Sequence, residues 1–126
     1  VAENPDAWGI DPTRIAVAGD SAGGNFAASL ALWARDHGGP ALACHVMVYP
    51  NTGIPQDSGS YIEHAETPGL TTSGTKKYRD YYLPHDRDTN DPYAKPAMAE
   101  SHADLPPAWV HSAGIDPIRD DGRVYA

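Results

Sequence analysis

The chain has 126 residues, and nine lysines and arginines against 17 aspartates and glutamates give it a net charge of −8. That length suits one domain with a real core, and an acidic balance without a basic stripe excludes a binder of nucleic acid or of anionic membrane surfaces. The single cysteine, Cys44, excludes an intrachain disulfide and a cysteine-rich metal site.

Cys44 lies in an apolar run and is expected to be a buried structural thiol. No stretch approaches the roughly 18 apolar residues of a membrane span. Val1 to Asp6 is polar, without the charged and apolar regions of a signal peptide, so a cytoplasmic location is expected. A first residue other than Met is expected of a piece of a longer protein.

In chain order, Val1 to Trp8 fits the end of a helix, with Gly9 to close it. Asp11-Pro12 is a turn signal, because Pro12 biases Asp11 away from helix. Arg14 to Ala18 predicts a short buried parallel strand. Next comes Gly19-Asp20-Ser21-Ala22-Gly23, a G-x-S-x-G pattern that places a serine on a sharp strand-to-helix turn. A Cβ at Gly19 or Gly23 is expected to collide with neighbouring backbone there. The Ala22 N–H is left at a helix N-terminus, facing any negative charge that develops beside Ser21.

Ala22 to Asp36 predicts a helix. Gly23, Ala27, Ala28 and Ala31 form a close-packing inner face, and Phe26, Leu30 and Trp33 an apolar stripe. His37-Gly38-Gly39-Pro40 reads as its stop. Ala41 to Tyr49 predicts the second strand, which completes a βαβ unit and implies a parallel sheet. Asn51 to Leu70 is loop-like. Thr71 to Leu83 fits a helix capped by Thr72 or Ser73 and ended by Pro84. A turn-rich segment leads to a third strand over Ala108 to Ala113, a turn at Gly114 to Pro117, and a helix from Asp120. Both Ser21 and Asp116 then follow strand C-termini, where open parallel sheets bind ligands.

A serine hydroxyl needs a histidine base, and the base needs a carboxylate to fix its tautomer. Ser21 is the candidate nucleophile and Asp116 the candidate acid. The plainer readings are a helix cap for Ser21 and a turn residue before Pro117 for Asp116. Asp20 is a structural residue of the elbow, and Asp120 and Asp121 are first-turn helix acids. His111 and His45 lie in predicted strands and read as structural or exposed. His64, His85 and His102 lie in loops. Asp86-x-Asp88-x-Asn90 lacks the glycine and the terminal glutamate of a calcium loop and reads as a solvated turn, so no metal is expected. The tyrosines and Trp33 read as packing. Neither a P-loop nor a dinucleotide fingerprint is present.

Gly19-Asp20-Ser21-Ala22-Gly23-Gly24-Asn25 resembles the nucleophile block of the hormone-sensitive-lipase-like, bacterial family IV carboxylesterases of the α/β-hydrolase superfamily. The flanks agree: Gly9 to Val17 resembles the approach to the elbow, and Asp91-Pro92-Tyr93-Ala94 with Leu105-Pro106-Pro107-Ala108 the lead-in to the next strand. Ala113 to Gly122 resembles the acid block, whose first aspartate is Asp116. The two blocks stand 95 residues apart in the family's order, and the resemblance runs across essentially the whole chain. It implies an α/β fold, a mostly parallel sheet flanked by helices, with residues 1–126 forming one partial catalytic domain. The family's N-terminal cap, upstream His-Gly-Gly-Gly oxyanion segment and downstream histidine segment have no counterpart here. The implied activity is hydrolysis of short to medium acyl esters by a Ser-Asp-His triad without a cofactor, on a small-molecule ester. Two alternatives stay open: a non-catalytic binding module on the same scaffold, and an amidase or deacetylase using the same triad.

Overall fold

A computed structural model describes residues 1–57, 59–84 and 89–126. Among these residues a parallel sheet runs in the order β1 (Ala16–Asp20), β2 (Cys44–Val48), β3 (Ala108–His111). Helix α1 (Ala22–His37) crosses from β1 to β2. Helices α2 (Ser60–Glu63) and α3 (Thr72–Tyr82) lie between β2 and β3, and α4 (Arg119–Tyr125) follows β3.

Side chains alternate across a strand, so the register sorts the sheet into two faces. Val17 pairs with His45 and His45 with Ala108, and Gly19 pairs with Met47 and Met47 with Val110. This face is covered by α1 and the end of α4: Ala27, Ala28, Met47 and Tyr125 form one core, with Val17 and Val110 packed on it. A second core joins Ile54, Tyr61 and Ile118, with Leu70 and Ala97 against them. On the opposite face Ala16, Ala18 and Asp20 are exposed, Val46 and Val48 are half-buried, and Trp109 stacks on exposed His111 at 5.8 Å and 12°. The expected burial of β1 is therefore corrected: its exposure alternates, because among the described residues only one face of the sheet is covered.

The small residues of α1 do what small residues permit. Gly24, Ala27, Ala28 and Ala31 let the helix lie close on the sheet, and Leu32 is fully buried. Gly38, at φ 63°, closes the helix by donating its N–H to Ala34 O, and the following glycine and proline cannot continue it. The stripe Phe26, Leu30 and Trp33 is 57%, 46% and 45% exposed, so it is not core. Gly9 adopts φ 62° behind a single 3₁₀ turn, as a terminating glycine should.

Several boundaries move. β1 begins two residues later than expected, and the cap of α3 is Thr71, whose hydroxyl accepts from the Gly74 N–H at 3.0 Å. The segment Asn51 to Leu70 holds one helical turn, α2, pinned from far along the chain. The Ser60 hydroxyl donates to Pro117 O at 2.7 Å, and the Ser60 N–H donates to Asp120 Oδ2 at 2.9 Å. Cys44 is a free thiol, half-buried rather than buried. His85, Asp86 and Asp88 lie outside the described residues. No helix among the described residues is long and apolar enough to cross a membrane.

Candidate active site

Ser21 sits between β1 and α1 with φ 52° and ψ −117°, a backbone conformation that L residues rarely adopt. Neighbours hold it there from both sides. Its N–H donates to Val48 O at 2.9 Å, at the end of β2, and its carbonyl accepts from the Asn51 N–H at 3.3 Å and the Asn25 N–H at 3.2 Å. These bonds fix the sharp turn that the glycine pattern implies.

The glycines divide unequally. A Cβ built on Gly19 overlaps the carbonyl carbon and oxygen of Gly23, and one on Gly24 comes within 2.8 Å of Pro50 Cβ. On Gly23 the nearest atom is Asp20 Oδ1 at 3.9 Å. The expected collision therefore occurs at Gly19 and not at Gly23, whose role is to lend its carbonyl to the tight crossing; the second crowded position is Gly24. Ala22 opens α1, so its N–H has no intrahelical carbonyl to reach.

Asp116 lies five residues beyond the end of β3, at the same C-terminal end of the sheet as Ser21 because the strands are parallel. One oxygen is used locally: Oδ1 accepts from the Ile118 N–H at 2.9 Å, and the Asp116 carbonyl accepts from the Arg119 N–H at 3.1 Å. These bonds turn the chain into α4 and fix the carboxylate against its own backbone.

The two acids of the first turn of α4 behave differently from one another. Asp120 is paired with Arg119 at 2.9 Å, and that guanidinium lowers its pKa to about 2. Arg119 also donates to Glu63 Oε2 at 2.8 Å and to His64 Nε2 at 2.9 Å, which makes that nitrogen the acceptor. Asp121 is fully buried and far from solvent. Its carboxylate accepts the N–H groups of Thr52 and Gly53 at 2.7 and 2.9 Å and the Tyr61 hydroxyl at 2.7 Å. Both acids lie in the first turn of α4 as expected, and Asp121 is in addition buried there.

A cavity of about 550 Å³ opens beside Ser21 and Ala22. Phe26, Ile54, Leu70, Tyr78, Tyr81 and Tyr82 supply much of its apolar wall. Tyr61 and Tyr125 pack in the two cores as expected, but Tyr78 and Tyr81 are 67% and 68% exposed and line this cavity instead. Phe26, of the predicted apolar stripe, meets Tyr82 edge-on at 6.2 Å in the cavity wall. Gln56 and Arg79 also line it, and Gln56 Oε1 and Arg79 Nε are buried with no hydrogen-bond partner among the described residues. Trp33 is elsewhere, stacked on His37 at 4.7 Å.

Among the described residues, His45, His64 and His102 hold structural contacts. His45 is 1% exposed and shares a 3.1 Å hydrogen bond with the Tyr125 hydroxyl. His102 Nε2 lies 2.9 Å from Pro96 O, and His111 is on the open sheet face. Among the described residues no group of three or more histidine, cysteine, aspartate or glutamate side chains could hold a metal ion.

A family model described as alpha/beta hydrolase fold matches residues 1–126. The esterase LipI of Mycobacterium tuberculosis is 44% identical, over 99% of this chain and 39% of its own length. The carboxylesterase NlhH of the same organism is 43% identical, over 100% of this chain and 40% of its own. A thermostable esterase from Pseudomonas putida superposes with a TM-score of 0.94 at 40% identity, covering the whole of this chain and 40% of that one. An esterase from Pyrobaculum calidifontis superposes with a TM-score of 0.92, also at 40% identity, over all of this chain and 42% of that one. The chain thus spans about two fifths of the length of the relatives it matches.

Proposed function

The chain belongs to the α/β-hydrolase fold family, in its hormone-sensitive-lipase-like carboxylesterase branch, and from that premise we propose that it carries the nucleophile and the acid of a serine ester hydrolase. The observation that carries the reading is Ser21 itself, held at φ 52° on the lip of an apolar cavity. Such backbone strain persists only where the surrounding structure over-determines it, and it gathers at functional sites.

Ser21 Oγ attacks the ester carbonyl while a histidine takes its proton. The carbonyl oxygen becomes an oxyanion, which the Ala22 N–H meets at the N-terminal end of α1. The same histidine protonates the leaving alcohol. It then activates a water that releases the acid and restores Ser21. Asp116 holds that histidine in the right tautomer. Neighbouring strands stand about 4.8 Å apart, so β1 and β3 are separated by about 10 Å, a gap in which a histidine can stand between the two side chains. We place that histidine outside residues 1–126, together with the further oxyanion donors, and residues 1–126 as one partial catalytic domain. Of the ten residues after Asp116 none is histidine. The substrate is a small ester of short to medium acyl length, its apolar part seated among Phe26, Ile54 and the tyrosines of α3, and no cofactor takes part.

The test is labelling of the full-length gene product with a fluorophosphonate probe, with turnover of p-nitrophenyl butyrate alongside. Labelling at Ser21 and turnover that both vanish in Ser21→Ala are expected. A folded protein that neither labels nor hydrolyses overturns the reading in favour of a binding module. Faster cleavage of an anilide than of the matching ester assigns the site to amide chemistry.

A further inference from the structure

We propose that Asp121 is a positioning residue that locks the segment bearing Asp116 to the elbow bearing Ser21, an inference that rests on reading those two residues as the reacting pair.

Asp121 lies five residues after Asp116 and is fully buried on the first turn of α4. The donors that converge on its side chain are neutral. Oδ1 accepts from three successive N–H groups, those of Thr52, Gly53 and Ile54, at 2.7, 2.9 and 3.4 Å. Oδ2 accepts from the Tyr61 hydroxyl at 2.7 Å. The Thr52 hydroxyl donates to the Asp121 carbonyl at 2.8 Å, so backbone and side chain of Asp121 grip the same loop. Successive N–H groups around one oxygen form an anion nest, here filled by the protein's own carboxylate.

The loop that Asp121 grips is the one that holds Ser21. Asn51, one residue earlier, donates its N–H to the Ser21 carbonyl at 3.3 Å, and its side-chain amide donates to the Tyr61 hydroxyl at 3.3 Å. The Asn51 carbonyl accepts from Asn25 Nδ2 at 2.8 Å, and Asn25 lies on the first turn and a half of α1. A continuous hydrogen-bonded path therefore runs from the elbow through Asn51 and residues 52–54 to Asp121, and by five residues of chain to Asp116. Close packing supports it: a Cβ on Gly122 would come within 3.4 Å of Pro50 Cδ, and a Cβ on Gly24 within 2.8 Å of Pro50 Cβ. A first-turn acid needs none of this to serve its own helix. What the arrangement sets is the separation of the two side chains that must share one histidine.

Asp121→Asn keeps the size and one acceptor oxygen but offers Tyr61 an N–H where it needs a lone pair. It also removes a buried charge, so a residue that served stability alone would lose little activity while folded. The experiment compares the full-length gene product with Asp121→Asn and with the double variant Asp121→Asn/Tyr61→Phe. It reads kcat and KM on p-nitrophenyl butyrate, the unfolding midpoint, and amide hydrogen exchange. The expected result is a kcat at least tenfold lower with KM within twofold, in protein folded at the assay temperature, and partial recovery of kcat in the double variant. Exchange should quicken at residues 52–54 and spread to 21–25. A folded Asp121→Asn with kcat within twofold of the parent, or faster exchange confined to 52–54, overturns the lock. If Asp121→Asn does not fold, Tyr61→Phe decides: a lowered kcat with faster exchange at 21–25 supports the lock, and parental values of both overturn it. If the parent neither hydrolyses nor labels, the reading of Ser21 and Asp116 fails, and the spread of exchange alone decides whether the two segments are coupled.

Discussion

The two glycines that flank Ser21 in the motif should respond in opposite directions to the same added methyl group. In Gly19→Ala the new Cβ overlaps the Gly23 carbonyl and lies 2.8 Å from Gly23 Cα, all of it backbone. Backbone cannot rotate away, so β1 or the first turn of α1 must shift and the bonds holding Ser21 must stretch. Overpacking of this kind costs about 1–3 kcal/mol, and contact with three backbone atoms puts this case at about 3 kcal/mol. In Gly23→Ala the nearest atom is 3.9 Å away, which is ordinary contact. Gly23 is the second residue of α1, and alanine there restricts the unfolded chain and favours helix, a gain of about 0.4–1 kcal/mol. The assay is urea denaturation of both variants followed by circular dichroism, with the fluorophosphonate labelling rate as a readout of the elbow. Gly19→Ala should unfold at markedly lower urea and label poorly. Gly23→Ala should match or exceed the parent midpoint. Equal destabilisation by the two would refute the claim that the crowding falls on one glycine.

Asp116→Asn should lower kcat by about 10⁴-fold, the scale seen when a triad loses its orienting carboxylate, with the unfolding midpoint nearly unchanged; steady-state kinetics with a melting curve measures both. His45 is held below the ordinary histidine value of 6.5 chiefly by burial, which the backbone at Pro106 opposes and the neighbouring His102 reinforces, both more weakly. Above 6.5 it is neutral in both folded and unfolded chains, so stability is fully present. As pH falls from 6.5 toward the lowered value only the unfolded chain takes the proton, and stability is lost with a limiting slope of about 1.4 kcal/mol per pH unit. Denaturation midpoints from pH 8 to pH 5 should show this slope and His45→Asn should flatten it, while an unchanged slope would remove His45 as the cause. Phe26→Ala should cost about 0.5–1.5 kcal/mol of ring pairing with Tyr82 and widen the cavity, moving kcat/KM toward longer acyl esters in a chain-length series; a preference that stays put would separate Phe26 from the acyl path.

The features legible in the sequence are those with local causes. The elbow could be read because a serine at positive φ between crossing backbones demands glycine nearby, and the βαβ unit because alternation of short apolar runs with an alanine-rich helix needs no distant partner. Gly38 stops α1 for a reason contained in one residue. What escaped depends on contacts made across the chain. Helix α2 is a single turn held by Pro117 and Asp120, 57 and 60 residues away, and no local propensity announces it. Asp121 had a sufficient local explanation as a first-turn acid, which hid its burial. Phe26, Leu30 and Trp33 follow a helical period, yet period alone does not say whether anything covers the stripe. In sequence the tyrosines of α3 read as packing because aromatic residues usually pack, whereas here they border a space.

The path that joins the elbow to Asp121 also fixes an order of events in time. The partners that hold Ser21, from Val48 to Asn51, lie within 30 residues of it, whereas the bonds from Thr52 to Asp121 bridge 69 residues. Contacts close along the chain form before distant ones, because less loop entropy must be surrendered. At synthesis rates of about 5–20 residues per second, the elbow spends roughly 4–14 s on a growing chain before its lock exists. During that interval the strained serine must be borne without the bonds to Asp121, and the geometry of the pair is set only after the elbow itself has formed. Pulse-labelled exchange during refolding should accordingly find the Ser21 and Asn25 amides protected before those of residues 52–54, and the reverse order would contradict this sequence of assembly.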